Sequence, residues 1–362
     1  MPTKEDLKYY QAMPLPVKVA MTKQRIREWV REYGVNGVYV SFSGGKDSTA
    51  LLHLVREEYP EVEAVFVNTG LEYPEIQKFV NGFDNVTILR PKMRFDEVIK
   101  KYGYPLISKT VGDMISGAKN SIAKGEYSLR LRLLGVKPYE YGGLKENGLY
   151  DYEKASKGSK FARDKYRPLL DAHVKISSKC CDVMKKNPMF LYQKKTGKKP
   201  MIATMAEESM VRETCWLKSG CNAFDAKKPK SMPMSFWTEQ DVLQYIKQKG
   251  IPIAPVYGEV VYATEPEQMR LEDYGVSVDG TERLATTGCS RTGCIFCAFG
   301  CHLEKEPSRF QRLKETHPRQ YAYCIGGGEY VDGVLQPNKQ GLGMGHAFDE
   351  LNKIYGDGFI KY

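Results

Sequence analysis

No run in the chain approaches the roughly 18 apolar residues that a membrane span needs, so a soluble globular protein is expected. The first residues, Met1 to Pro16, carry charges and the pair Tyr9-Tyr10 where a signal peptide needs an apolar stretch, so secretion is not expected and a cytoplasmic location is. Cysteine is missing before Cys180, and all nine cysteines follow from there. In a reducing cytosol they favour metal or redox chemistry over disulfides. Internal repeats and low-complexity tracts are also missing, which removes repeat architectures. At 362 residues the chain is too long for a disulfide miniprotein and long enough for one large or two ordinary domains. Lys and Arg number 54 against 44 Asp and Glu, a formal charge of +10, and 42% of residues are hydrophobic.

Before Gly34, the residues Ile26, Trp29, Val30 and Tyr33 recur at helical spacing, which predicts an amphipathic helix with Gly34 as its C-cap. A β-prone run, Gly37 to Phe42, then leads through a Gly-rich turn into a predicted helix from Ser48 to about Tyr59. Val65-Phe66-Val67 and Val86-Thr87-Ile88-Leu89 are further short apolar runs followed by helical patterns, as a parallel sheet requires. Met201 to Met205 reads as another buried strand. The expected fold class is α/β, a doubly wound and mostly parallel sheet with a Cys-rich C-terminal region. Between residues 114 and 179, 14 Lys and Arg outweigh 7 Asp and Glu, interleaved with Tyr127, Tyr139, Tyr141, Tyr150, Tyr152 and Tyr166. Thr286 to Tyr362 is rich in Gly and Cys with little periodicity, so its order is expected to depend on a metal centre.

Ser43-Gly44-Gly45-Lys46-Asp47-Ser48 sits between the first strand and its helix. Two adjacent glycines let the backbone approach an oxyanion, successive N–H groups form a nest, and the helix N-terminus adds its dipole. A di- or triphosphate is the natural guest. Asp47 after Lys46 excludes a Walker A loop, which needs Ser or Thr there. These residues resemble the PP-loop of the ATP pyrophosphatases and of the phosphoadenosine phosphosulfate (PAPS) reductase family. Asn68-Thr69-Gly70-Leu71-Glu72-Tyr73-Pro74-Glu75 is similar to the family's DTGxxFPET segment, with Asn68 for Asp and Tyr73 for Phe. Tyr104 to Lys109, Cys180-Cys181 with Lys185 and Pro188, Glu207-Glu208-Ser209, and Trp237 to Val242 resemble later family segments in the same order.

The resemblance implies an adenine nucleotide α-hydrolase-like fold, with Ser43, Gly44, Gly45, Lys46, Asp47 and Ser48 at the phosphates and Asn68, Thr69, Gly70 and Glu72 near the nucleotide. Both segments follow apolar strands and so fall at one carboxyl edge of the sheet, where open α/β sheets bind ligands. Glu72 and Glu75 have an alternative reading as charge compensation at a helix N-terminus. Trp237 to Asp241 reads as a helix start capped by Thr238. The implied organisation is a PP-loop nucleotide-binding half at 1–113, a basic Tyr-rich insertion at 114–179, the remainder of the α/β domain at 180–285, and a cluster-binding C-terminal region at 286–362.

Cys294-Ile295-Phe296-Cys297 is a CxxC within the denser run Cys289, Cys294, Cys297, Cys301. Four thiolates can hold a 4Fe-4S cluster or, alternatively, a tetrahedral Zn. A tandem Cys pair plus a distant CxxC resembles the cluster pattern of adenosine phosphosulfate (APS) reductases, which implies Cys180, Cys181, Cys294 and Cys297 as ligands. Cys221 or Cys324 could replace one tandem member, because adjacent residues on a strand face opposite ways. Cys215, Cys289 and Cys301 are less favoured. Sulfonucleotide reductases also carry a nucleophilic Cys in an ECGxH context; Cys324 matches it only in rough position, since its surroundings are Tyr323-Cys324-Ile325-Gly326. His302, His317 and His346 read as surface or structural residues.

Three functions follow. The first is ATP-dependent sulfur transfer to nucleic acid, with Lys46 and Asp47 catalytic, Mg²⁺ at the phosphates, DNA or tRNA on 114–179 and a sulfur-donor protein as partner. The second is reduction of APS or PAPS to sulfite, with Cys324 as the catalytic thiol. The third is a non-catalytic nucleotide-sensing module.

Overall fold

The computed structural model describes residues 2–136, 161–263 and 283–362. Tyr139, Tyr141, Tyr150 and Tyr152 of the basic segment lie outside the described residues. The chain forms two compact units that interleave along the sequence. The first comprises Met1–Asn68, Glu72–Arg90 and Pro188–Cys294, and the second Thr69–Leu71, Pro91–Asn187 and Ile295–Tyr362.

The first unit begins with helix α1 (Lys4–Gln11), capped by the Thr3 hydroxyl, which accepts the Asp6 N–H at 3.1 Å. Helix α2 (Leu15–Tyr33) buries Leu15, Thr22, Ile26, Trp29 and Val30 along one stripe. It stops at Gly34, whose φ of 75° suits glycine and whose N–H bonds Val30 O at 2.8 Å. The predicted C-cap is in place.

The strands, in chain order, are β1 (Val38–Ser41), β2 (Ala64–Val67), β3 (Val86–Leu89), β4 (Leu106–Ile107), β5 (Lys199–Met201), β6 (Asn222–Ala223) and β7 (Lys230–Ser231). All but β4 belong to one six-stranded sheet of order β3-β2-β1-β5-β7-β6. It is parallel except for the β6–β7 pair. Val38, Tyr39 and Val40 of β1 are fully buried, as a strand covered on both faces must be. Each such valine contributes about 1.5–3 kcal/mol by leaving water. The α/β expectation holds. Met201 to Met205 is not one strand, however. Pairing continues only to Ile202, whose N–H reaches Ser231 O, and Ala206 N–H then turns to Ser235 O.

Strand order fixes where a ligand can sit. From β1 the chain goes outward to β2 and β3 on one side, then returns to β5 on the other, so the switch point lies at the carboxyl end of β1. Helix α3 (Lys46–Glu58) starts there and buries Ala50, Leu51, Leu54 and Val55 on the sheet.

In the second unit β4 pairs in parallel with a strand at Ala298–Phe299. Thr286 to Tyr362 has more regular structure than its sequence suggested. Helices span Arg309–Thr316, Pro318–Ile325 and Met344–Tyr355, the first with a Ser308–Gln311 capping box. Phe310 and Phe348 meet at 4.9 Å between ring centroids in a buried apolar core. The first two of these helices are eight residues long and bury only two and one residues, which reads as weak periodicity. No helix among the described residues is long and apolar enough to cross a membrane.

Candidate functional site

The loop after β1 is shaped by what its glycines permit. Gly44 has φ 71°, and a Cβ there would lie 2.8 Å from both Ile76 Cγ2 and Val80 Cγ2. The loop is pinned from within: Ser43 N–H donates to Ser48 Oγ at 3.1 Å, and the Ser48 and Thr49 hydroxyls donate to Gly45 O at 2.9 and 3.0 Å. Gly45 is the N-cap of α3 and has no side chain to cap it. The positive end of the helix dipole favours an anion there.

Lys46 is 2% exposed. Its Nζ donates to Ser290 O at 2.9 Å and lies 3.0 Å from Glu239 Oε1, while its backbone N–H donates to the Tyr257 hydroxyl at 3.2 Å. Tyr257 Oη is also 2.6 Å from Thr292 Oγ1. A Cβ on Gly45 would come within 3.2 Å of the Tyr257 hydroxyl. Asp47 sits at the same helix start with Oδ1 buried and without a hydrogen-bond partner, 3.8 Å from Lys46 Nζ. Burial raises its pKa above the ordinary value, against the pull of Lys46 and Arg291. Around this centre Glu208 pairs with both Arg212 and Arg291. The arrangement can bind an anionic group and a cation together.

Ser43, Gly44, Gly45, Lys46, Asp47 and Ser48 thus form one loop at the switch point. Asn68 follows β2 at the same edge of the sheet, its N–H bonded to Leu89 O at 2.8 Å. Thr69 and Gly70 belong to the second unit, where Thr69 Oγ1 accepts the Leu71 N–H at 3.2 Å. Glu72 is buried in the first unit, and Glu75 stands in the first turn of helix α4 (Pro74–Val80). Thr238 caps the helix Glu239–Lys249 through a capping box with Asp241. That cap hid the role of Glu239, which points to Lys46. Arg291, Tyr257 and Thr292 gave no signal in the sequence, because their partners are distant along the chain.

The cysteines are all thiols, and they divide between the units. Cys180, Cys181, Cys297, Cys301 and Cys324 lie in the second; Cys215, Cys221, Cys289 and Cys294 lie in the first. A hydrogen bond with Cys180 lowers the Cys181 thiol to about 6, with help from Lys109, Lys185 and Lys186. Burial pushes Cys297 up, as does the nearby charge of Cys181, against the Phe299 N–H and Arg309. Burial also lifts Cys301 to about 12. Cys324 is fully buried, its Sγ 3.6 Å from Met344 Sδ, and burial holds its pKa far above the ordinary thiol value. A thiol so placed is inert at neutral pH. Cys180, Cys181 and Cys297 supply the soft donors a thiolate-bound metal needs, but no group of three or more metal-binding side chains is gathered among the described residues. His302 stacks on Phe359 at 5.1 Å, and His346 lies 6.3 Å from the Tyr330 ring.

Comparison with known proteins identifies the class. The family model described as phosphoadenosine phosphosulfate reductase domain matches residues 37–109 and 147–299, more than half of the chain. The chain belongs to that family. Among individual relatives, it is 24% identical to sulfate adenylyltransferase subunit 2 of Psychromonas ingrahamii, over 75% of this chain and 80% of that protein. It is 22% identical to the subunit of the same name in Shewanella sp. strain ANA-3, over 74% and 78%. A shorter match, 35% identical over 80 residues, is to an uncharacterized protein of Methanocaldococcus jannaschii and spans 18% of it. Among solved structures, PAPS reductase of Candida auris in a phosphate complex is similar with a TM-score of 0.35 and 13% identity, covering 77% of this chain and 96% of that one.

Proposed function

We propose that the chain is an enzyme of sulfur metabolism that holds an adenine nucleotide on its PP-loop, uses ATP to adenylate an acceptor oxygen with release of pyrophosphate, and so directs sulfur into nucleic acid. The observation that carries the nucleotide is the glycine-capped start of α3 at the sheet's switch point, with Lys46 and the Asp47 oxygen that lacks a hydrogen bond beside it. Kinship with proteins named sulfate adenylyltransferase supports chemistry on the nucleotide's phosphates. In the step itself the acceptor oxygen bonds to the α-phosphorus, the bond to the β-phosphate oxygen breaks, and pyrophosphate leaves with the electron pair. Lys46 stabilises charge on the phosphate oxygens, and the loop N–H groups orient them. Asp47 would hold Mg²⁺, whose part is to neutralise the phosphates. The terminal sulfur of a persulfide on a sulfur-donor protein then attacks the activated acceptor atom and AMP leaves. A second thiol cleaves the remaining S–S bond, is oxidised to a disulfide with the donor, and leaves the sulfur on the acceptor. DNA or tRNA would lie along the basic segment at 114–179, where the described residues Arg163, Lys165 and Arg167 belong.

Cys180, Cys181, Cys294 and Cys297 are the proposed ligands of a 4Fe-4S cluster, supported by the lowered pKa of Cys181 beside Cys180, with zinc as the alternative. The cluster would supply electron or sulfur chemistry. Anaerobically purified protein should absorb broadly near ~400 nm and lose that band in Cys297→Ser. Colourless protein with stoichiometric zinc would reverse the metal while keeping the ligands.

The second reading is reduction of APS or PAPS to sulfite, favoured by the tandem Cys180-Cys181 and the Cys294–Cys297 CxxC, whereas the burial of Cys324, the thiol assigned to that step, counts against it. Product analysis separates the readings: pyrophosphate with AMP supports the first, sulfite the second, and neither a nucleotide-sensing module.

A further inference from the structure

Arg212 and Arg291 share the Glu208 carboxylate. The Glu208 side chain is 11% exposed, whereas that of Arg291 is 61% exposed. Arg291 sits on the turn between Cys289 and Cys294, and that turn is fastened to the phosphate loop at several points. Lys46 Nζ donates to Ser290 O, Thr292 Oγ1 meets Tyr257 Oη, and Tyr257 Oη accepts the Lys46 N–H. Cys289 N–H completes the attachment by donating to Val256 O at 2.9 Å. Two guanidiniums and one ammonium thus surround the start of α3, each resting on an internal carboxylate: Arg212 and Arg291 on Glu208, Lys46 on Glu239. The Arg291 and Arg212 charges also act on Asp47. Arg291 therefore lies within electrostatic reach of the point where an anion would meet the helix.

We propose that Arg291 is a ligand for the anionic tail of the nucleotide and that the Glu208 carboxylate is the internal anion it leaves when the nucleotide binds. The tail is an acid anhydride group beyond the adenosine, either the polyphosphate of ATP or the phosphosulfate of APS. A guanidinium suits both, since its fork can take two oxygens of either tetrahedral group. The exchange of one anion for another keeps Arg291 paired in both states and avoids stranding a charge. This inference rests on the nucleotide reading above and adds to it a binding residue and a built-in competitor.

The test is calorimetric titration of the whole chain with ATP, with APS and with adenosine, which has no anionic tail. Arg291→Ala should weaken binding of the tailed nucleotide about tenfold or more and leave adenosine unchanged, with Arg291→Lys intermediate. Glu208→Gln keeps the shape but removes the competing charge, so it should strengthen binding of ATP or APS several-fold. Whichever tailed nucleotide responds is the one Arg291 serves. Unchanged affinity in Arg291→Ala, or weaker binding in Glu208→Gln, overturns the proposal even if wild-type protein binds nucleotide well. Equal losses for tailed nucleotide and adenosine would mean a damaged site and would also overturn it. Wild-type protein that binds none of the three probes removes the nucleotide reading itself.

Discussion

The backbone N–H of Lys46 donates to the Tyr257 hydroxyl at 3.2 Å, so a phenol occupies one of the donors at the start of α3. The same hydroxyl lies 2.6 Å from Thr292 Oγ1. Tyr257→Phe removes one partner from both and strands a buried N–H. We expect a stability loss of about 1 kcal/mol and a fall in melting temperature of about 2 °C, measured by differential scanning calorimetry of ligand-free protein. Saturating ATP should recover part of that loss, because a phosphate oxygen can take the vacated donor.

The two loop glycines should fail in different ways. Gly44→Val combines a positive φ with clashes against Ile76 and Val80, so it should lower stability by at least about 1–2 kcal/mol. Gly45→Val places its side chain against Tyr257 Oη, Ser43 Oγ and Thr292 Oγ1 and should abolish ATP binding at a smaller cost in stability. Calorimetric titration and thermal melts of both variants separate the two effects.

Asp47 offers a pH signature. Its folded pKa is raised above 3.8, chiefly by burial. The folded chain therefore holds this proton more tightly than the unfolded chain, and stability falls as pH rises from 3.8 through the folded value. Asp47→Asn should melt higher than wild type at pH 7, and the advantage should shrink toward pH 3. The same variant should lose nucleotide binding.

Cys181, at about 6, should be the most reactive of the thiols in metal-free protein. Its alkylation rate, followed by peptide mass spectrometry, should climb through pH 6 and level off by pH 8. Cys180→Ala should move the midpoint upward, since the Cys180 hydrogen bond is the largest cause of the shift. Cys324 should stay unlabelled until the protein is denatured.

Nucleic-acid binding predicts a salt law. Each phosphate neutralised should add about −0.9 to the log–log salt slope on duplex DNA, or about −0.7 on a single strand. Replacing Arg163, Lys165 and Arg167 together by Ala should reduce both affinity and slope while leaving ATP binding intact. Lys165 and Arg167 are exposed, with Lys165 over the Tyr166 ring at 4.9 Å, so the fold should survive.

What could be read in advance was whatever is local. The apolar run Val86–Leu89 is the strand it promised, Gly34 stops its helix, and Thr238 caps the next. The phosphate loop was legible because its glycines, lysine and serines are contiguous. Arg291 was not, since its meaning depends on Glu208, 83 positions away. The cysteines divide the same way. The tandem pair could be seen, but the burial that separates the acidified Cys181 from the inert Cys324 is a property of the folded chain.

The central strand has a consequence for how the protein is made. β1 needs β5 as a neighbour, yet β5 is encoded about 160 residues later. On a ribosome adding roughly 5–20 residues per second, β5 emerges some ~10–30 s after β1. Throughout that interval Val38 and Val40 have β2 on one side and an unpaired edge on the other. The nascent chain is then a candidate client for holdase chaperones, and the phosphate loop can close only after more than half of the protein has been synthesised.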